Sequence, residues 1–146
     1  MTLIPDDLRL KLIANGDALP ENGDPIPLVK LFLPETSRQY LLSEIDPADT
    51  DLAFALAQFD GEPLPRCAYV SLAHLAWMEN AQGEHVTRDP LFKGQFPLSV
   101  YTRAARAAGH ITDDHSLLTK AAAELAGHSA ALERRFGGET TIQNNT

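Results

Sequence analysis

The stretch LVKLFLPETSRQYLLSEIDPADTDLAFALAQF, residues 28–59, decides the fold, because it holds three apolar segments separated by two short turns. Residues 28–33 are rich in strand-forming residues and end at Pro34, which cannot donate to a strand ladder. Residues 39–45 form a second apolar segment, and the turn-forming sequence DPAD, residues 46–49, follows it. Connections this short favour antiparallel neighbours. The stretch therefore predicts consecutive antiparallel strands.

The third segment, residues 52–59, alternates bulky and small side chains. Leu52, Phe54 and Leu56 occupy the even positions, and alanines occupy the odd positions between them. Because successive side chains of a strand point to opposite faces, this alternation predicts one bulky face and one alanine face. Alanines also favour helices, so a helix is the alternative for this segment.

The rest of the chain supplies two more strands and the helices. Residues 66–70 and 85–92 predict a fourth strand and a short fifth one. Apolar periodicity, first-turn prolines or acidic residues, and terminal glycines predict the helices. The helical segments are residues 5–15, 72–79, 98–108 and 113–136. The predicted core residues are Leu31, Leu42, Phe54, Val70 and Tyr101.

Together these elements predict one α+β domain over residues 1–138, a normal size for a single domain. We expect a mostly antiparallel sheet of four to five strands, covered on one face by helices. The segment 112–138 is predicted to be an added C-terminal helix, and the polar residues 139–146 are predicted to be a disordered tail.

The composition predicts a cytoplasmic protein without a membrane partner, and it disfavours nucleic acid as a partner. No apolar run approaches the roughly 18 residues of a membrane span, and the N-terminus lacks a secretory signal. The single cysteine, Cys67, cannot form an internal disulfide, which fits a reducing compartment. The net charge is -8, from 20 acidic and 12 basic residues, and an acidic surface repels phosphate. We therefore expect another protein as the partner.

Four blocks of the sequence resemble, in order, a bacterial domain family of unknown function. The blocks are VKLFLP (29–34), YLLSEIDPAD (40–49), AYVSL (68–72) and RDPLF (88–92). The resemblance spans about residues 5–111, and its members are often encoded on plasmids and integrative elements. The chain departs from the family at Phe54-Ala55, where an aromatic-glycine pair is usual, and at residues 66–68, where a glycine is usual. The resemblance implies an accessory role in a mobile element and transfers no catalytic residue.

Three aspartates, Asp46, Asp49 and Asp51, crowd the turn after the second predicted strand. Oxygen-rich loops bind magnesium or calcium, so these residues are candidate ligands for a metal-assisted hydrolase. However, the spacing lacks the glycine and the distal glutamate of a calcium-binding loop. Aspartate and proline are also favoured turn residues, so we interpret the cluster as a turn. No pattern in the sequence predicts a cofactor.

Five further residues are candidates for binding: Arg88, Asp89, Lys93, Arg103 and Arg106. Arg88 and Asp89 either hold a loop through backbone hydrogen bonds or present a recognition surface together with Lys93. Lys93, Arg103 and Arg106 form a small basic cluster. Its members either contact phosphates or pair with acidic residues in the first half of the chain.

Arg103 and Arg106 lie on the helix predicted over residues 98–108, which is amphipathic. The side expected to face the sheet carries Leu98, Tyr101, Ala105 and Ala108. The side expected to face water carries Ser99 and the two arginines.

These observations lead to three functional hypotheses, which we rank from the most to the least favoured. The first is a non-enzymatic accessory or protein-binding module of a bacterial mobile element. The second is a nucleic-acid-associated factor that uses Lys93, Arg103 and Arg106. The third is a metal-assisted hydrolase at the aspartate turn.

Overall fold

The computed structural model describes residues 3–126. The sheet predicted from the central stretch lies at the centre of this fold. The strands are β1 (Val29–Phe32), β2 (Gln39–Asp46), β3 (Asp49–Gln58), β4 (Arg66–Ser71) and β5 (Thr87–Arg88). Their order across the sheet is β4-β3-β2-β1-β5, and each neighbouring pair is antiparallel. The predicted α+β class and antiparallel sheet are therefore confirmed.

The described helices are α1 (Asp6–Asp17), α2 (Leu72–Trp77), α3 (Leu98–Ala108) and α4 (His115–Leu125). α3 ends at Gly109, whose φ of 87° is the left-handed conformation that glycine adopts readily. α4 begins after Asp114, whose carboxylate accepts the Ser116 and Leu117 N–H groups. The rest of the helix predicted over residues 113–136, and the predicted tail over 139–146, lie outside the described residues.

The β2–β3 hairpin follows the sequence prediction closely. Asp46 pairs with Asp49, so Pro47 and Ala48 form a two-residue loop. The pairing shifts by one residue at Ser43, where β2 carries a bulge, and shifts again between Ile45 and Asp46, where residues 50–52 of β3 are extra.

The alternation foreseen in β3 divides the hydrophobic core into two clusters. The three alanines of β3 belong to the cluster that also holds Leu12 of α1 and Leu75 of α2. Phe54 and Leu56 belong to the other cluster, with residues of α3 and α4. We call these two sides of the sheet the alanine face and the bulky face.

Helices therefore cover both faces of the sheet, whereas the sequence led us to expect them on one. The reason lies in β2, where the neighbouring residues Leu41 and Leu42 are both fully buried. Leu41 belongs to the cluster on the bulky face and Leu42 to the cluster on the alanine face. A strand that is apolar on both faces needs a covering layer on each.

α1 packs tightly against β2. A β-carbon at Gly16 would collide with the backbone carbonyl of Ile45, so only glycine fits this close approach. The Asn15 side-chain amide donates to the Ser43 carbonyl at 3.0 Å, and the Arg9 guanidinium donates to the Thr50 carbonyl at 3.1 Å. α1 is thus fixed over the hairpin end of the sheet.

All five predicted core residues are buried, but two assignments on α3 are wrong. Ala108, expected to face the sheet, is exposed at the end of the helix. Ser99, expected to face water, is 1% exposed. Its backbone N–H and its hydroxyl both donate to the Asp24 carboxylate, at 3.0 and 2.6 Å. Asp24 caps this helix from a distant loop, which the helix sequence alone does not reveal.

Candidate functional site

The aspartates of the hairpin turn make local backbone contacts. Asp46 Oδ1 accepts the Ala48 N–H at 2.8 Å, and Asp49 Oδ1 accepts the Asp51 N–H at 3.2 Å. Carboxylates that accept a backbone N–H two residues ahead stabilise turns. These two side chains therefore shape the hairpin.

Asp51 joins the hairpin to the start of α2. Its carboxylate accepts the Ser71 hydroxyl at 2.6 Å and the Ala73 N–H at 2.9 Å. The Ser71 hydrogen bond is the main reason that the pKa of Asp51 is lowered. Within residues 3–126, no three histidine, cysteine or acidic side chains converge to hold a metal ion.

The structure separates the three residues of the small basic cluster. The Arg103 Nε atom lies 3.1 Å from Glu124 Oε1 of α4, and the Arg106 guanidinium donates to the Pro65 carbonyl at 3.0 Å. Lys93 is exposed in the loop before α3. The three cations thus approach three different parts of the fold.

Arg88 and Asp89 are also separated, although they are neighbours in sequence. Arg88 pairs with Leu31, which is buried in the cluster on the alanine face, so Arg88 lies at the edge of that face. The Asp89 N–H donates to the Lys30 carbonyl, and its Oδ1 atom accepts the Leu91 N–H, both at 2.9 Å. Asp89 therefore shapes the loop that follows β5.

β1 is the part of the bulky face that the helices leave open. It contributes no residue to the cluster under α3 and α4. Its Lys30 and Phe32 instead line a cleft of about 410 Å³, which we call the strand cleft. The full lining is Lys30, Phe32, Leu33, Pro34, Glu35, Thr36, Gln39 and Asp89.

A second cleft, of about 320 Å³, lies beside the loop after β5 and is called here the loop cleft. Its lining is Asp89, Leu91, Phe92, Lys93, Gln95, Tyr101, Asp113 and Leu118. The Tyr101 hydroxyl accepts the Gln95 N–H at 3.1 Å, and burial raises the pKa of Tyr101. Leu91 is 89% exposed, so a large apolar side chain stands at the rim.

The two clefts adjoin. Asp89 lines both, and an ion pair of 3.0 Å joins Lys30 of the strand cleft to Asp113 of the loop cleft. Glu35 of the strand cleft and Lys93 of the loop cleft have no ion-pair partner among residues 3–126. We call the residues that line the two clefts the Asp89 surface.

Sequence reasoning identified Asp89 and Lys93 on this surface but missed Lys30, Phe32 and Asp113. One signal was available in β1, whose sequence VKLF places a lysine inside an apolar segment. Lys30 and Phe32 share a strand face because they are two residues apart. A lysine on that face indicates that part of it is reached by water.

The fold and the Asp89 surface define a small α+β protein with an open, polar pair of clefts at one side of its sheet. The profile of the family described as "Protein of unknown function (DUF2958)" matches residues 3–112, most of the chain. The chain belongs to this family, which confirms the resemblance to a family of unknown function. Searches of curated proteins and of solved structures gave no match. No helix within residues 3–126 has the length and apolarity to cross a membrane.

Proposed function

We propose that this protein is a non-enzymatic binding module for another protein and that the partner binds to the Asp89 surface. The observation that carries the proposal is the junction of the strand cleft and the loop cleft over the uncovered part of the bulky face. An apolar side chain, Leu91, stands exposed at the rim of the loop cleft, whose lining also holds Asp89, Lys93 and Asp113. A partly apolar patch with a polar rim is typical of protein interfaces.

The polar groups in the clefts support a binding role because several of them already form hydrogen bonds or ion pairs that fix the conformation of the surface. Lys30 is paired with Asp113, and the Tyr101 hydroxyl is bonded to the loop backbone. Asp89 fixes the turn that presents Leu91. A surface held in one shape before binding loses less entropy when a partner docks.

Charge favours a protein over a nucleic acid as the partner. The chain carries a net charge of -8, and Arg103 and Arg106 are engaged with Glu124 and Pro65. Phosphate backbones need a continuous set of accessible cations. The accessory role in a bacterial mobile element, which the family resemblance implied, is part of this proposal.

The test is affinity capture from a bacterial lysate with the parent protein and two variants. Leu91→Asp places a charge at the rim of the loop cleft, within the Asp89 surface. The matched control is Leu10→Asp, because Leu10 is 67% exposed on α1, which packs against the opposite face of the sheet. We expect Leu91→Asp to lose a protein partner that the parent and the control both retain.

Two outcomes would contradict the proposal. One is an identical set of captured proteins for the parent and for Leu91→Asp. The other is capture of nucleic acid that disappears in an Arg103→Ala/Arg106→Ala variant, since that result would favour the nucleic-acid hypothesis.

A further inference from the structure

Glu35, in the turn between β1 and β2, has a backbone conformation that a glutamate adopts only at a cost. The Leu33 carbonyl accepts the Thr36 N–H at 3.3 Å and the Thr36 hydroxyl at 2.8 Å, so residues 33–36 form a four-residue turn. Pro34 is its second residue, and Glu35, with a φ of 60°, is its third. A positive φ at the third position of such a turn favours glycine or asparagine. The turn by itself therefore does not call for a glutamate.

The hydrogen bonds that hold this turn are made by the neighbours of Glu35. Besides the Thr36 bonds, the Asn80 side-chain amide donates to the Pro34 carbonyl at 2.7 Å. The Glu35 carboxylate is exposed and takes part in none of these bonds, and it has no ion-pair partner within residues 3–126. Backbone strain that the surrounding structure maintains is a feature of functional positions. The strain at Glu35 therefore points to a role outside the fold.

Glu35 lines the strand cleft, where the negative charge exceeds the positive. The charged residues of the lining are Lys30, Glu35 and Asp89. Lys30 is already paired with Asp113 at 3.0 Å, so its charge does not offset the two carboxylates. The chain as a whole carries a net charge of -8, which attracts cations over a longer range. Charge thus favours a cationic group as the occupant of this cleft.

The rest of the lining indicates which kind of cation fits. Phe32 pairs with Gln39 across the β1–β2 ladder, so an aromatic ring and a side-chain amide share one face in the cleft. Lysine and arginine pack their aliphatic stems on apolar surface, and their charged heads are attracted to aromatic rings. A divalent metal needs several oxygen ligands, and no three histidine, cysteine or acidic side chains converge within residues 3–126. An organic cation therefore fits better than a metal ion.

We propose that Glu35 is a specificity-determining residue of the strand cleft and that it binds a lysine or arginine side chain of the partner protein. The inference deepens the proposed function and rests on it for the source of that side chain. Electrostatic complementarity of this kind selects among partners and speeds their association.

Two substitutions separate the charge of Glu35 from its backbone conformation. Glu35→Gln removes the charge and keeps the size of the side chain. Glu35→Asn removes the charge and supplies a residue that tolerates a positive φ. We expect Glu35→Asn to raise the melting temperature by about 2–4 °C and Glu35→Gln to leave it unchanged. A fall of the melting temperature in both variants would show that this side chain stabilises the turn, and it would overturn the proposal.

The binding probe is N-acetyl-arginine amide, and the uncharged N-acetyl-glutamine amide is its control. Each compound is titrated into the isotope-labelled full chain, and the backbone amide signals are followed by NMR. We expect the arginine compound alone to shift the signals of Thr36 and Gln39 in a saturable way. Glu35→Gln should weaken this binding about three- to fivefold, as for the loss of an exposed ion pair.

The matched control is Glu21→Gln, which removes an exposed acidic residue that lines neither cleft. It should leave probe binding unchanged. Two results would overturn the proposal: no shift at Thr36 and Gln39, or equal weakening by Glu21→Gln, because long-range attraction would then explain the binding.

The probe and the lysate capture distinguish this inference from the proposed function. Probe binding that depends on Glu35, without a captured protein that depends on Leu91, would support the cation site and contradict the proposed function. A partner that is lost in Leu91→Asp but retained by Glu35→Gln would support the proposed function and overturn the role of Glu35.

Discussion

The alanine face and the bulky face are built from the same strands, yet they are covered in different ways. On the alanine face, Gly16 brings α1 against the backbone of β2, and α2 buries Leu72 and Leu75 beside the alanines of β3. On the bulky face, Phe54 and Leu56 pack beneath α3 and α4, and β1 is left to line a cleft. The close approach of α1 depends on glycine at position 16, whereas Phe54 and Leu56 fill the space between β3 and the helices on the bulky face.

The difference places the more fully covered part of the core on one face of the sheet and the two clefts on the other. Residues of β1, β2 and β3 all contribute to the cluster on the alanine face. The cluster on the bulky face takes its strand residues from β2 and β3, and Lys30 and Phe32 beside them line the strand cleft. We therefore expect substitutions to have different consequences on the two faces.

The largest expected effect is on the bulky face. Phe54 is 4% exposed and contacts Tyr69 with ring centroids 5.0 Å apart. Phe54→Ala should lower the free energy of unfolding by about 3–5 kcal/mol, since it leaves a cavity where a buried ring packed. Urea unfolding measures this change, with the exposed Leu91→Ala as the control. A loss below about 1 kcal/mol would show that this face is not tightly packed.

The next effect tests close packing on the alanine face. Gly16→Ala should lower the free energy of unfolding by about 1–3 kcal/mol, because the added β-carbon meets the Ile45 carbonyl. Lys11→Ala, at an exposed position of α1, is the control. Alanine is the better helix former by about 1 kcal/mol. A Gly16→Ala variant more stable than the parent would therefore mean that α1 can move away from β2.

The smallest effect concerns the pH dependence of stability at the hairpin end. The pKa of Asp51 is lowered below its ordinary value of 3.8, mainly by the Ser71 hydrogen bond. The folded protein thus binds this proton less readily than the unfolded chain does. The resulting stabilisation is present above pH 3.8 and is lost as the pH falls through the lower folded-state value.

Asp51→Asn should consequently reduce the loss of melting temperature below pH 3.8. Thermal unfolding monitored by circular dichroism across this range measures how steeply the melting temperature falls as the pH is lowered. Asp114→Asn is a useful comparison, because hydrogen bonds at the start of α4, that of Ser116 above all, also lower the pKa of Asp114. An unchanged slope in Asp51→Asn would place the relevant titration elsewhere in the protein.

The elements that could be predicted from sequence are those with local signals. The DPAD sequence fixed the β2–β3 hairpin, and the alternation in β3 separated its two faces. α3 begins after Pro97 and ends before Gly109, so it spans the predicted residues, Leu98–Ala108. In each case the deciding residues lie within a few positions of the structure that they determine.

The features that sequence reasoning missed depend on residues far apart in the chain. The periodicity of a helix shows which side is apolar but not which face of a sheet it covers. Ser99 is buried, and the carboxylate that accepts its hydroxyl proton belongs to Asp24, 75 residues away. The junction of the clefts depends on Lys30 and Asp113, which are 83 residues apart. No local pattern around either residue predicts that pairing.

The Lys30–Asp113 ion pair also crosses the boundary of the family region, which ends at residue 112. Asp113 and Leu118, beyond that boundary, line the loop cleft, whereas the strand cleft is built entirely within it. The Asp89 surface thus combines residues of the family region with two residues that lie beyond it, Asp113 and Leu118. On the proposed binding role, replacement of Asp113 and Leu118 should alter which partners fit while leaving the strand cleft intact.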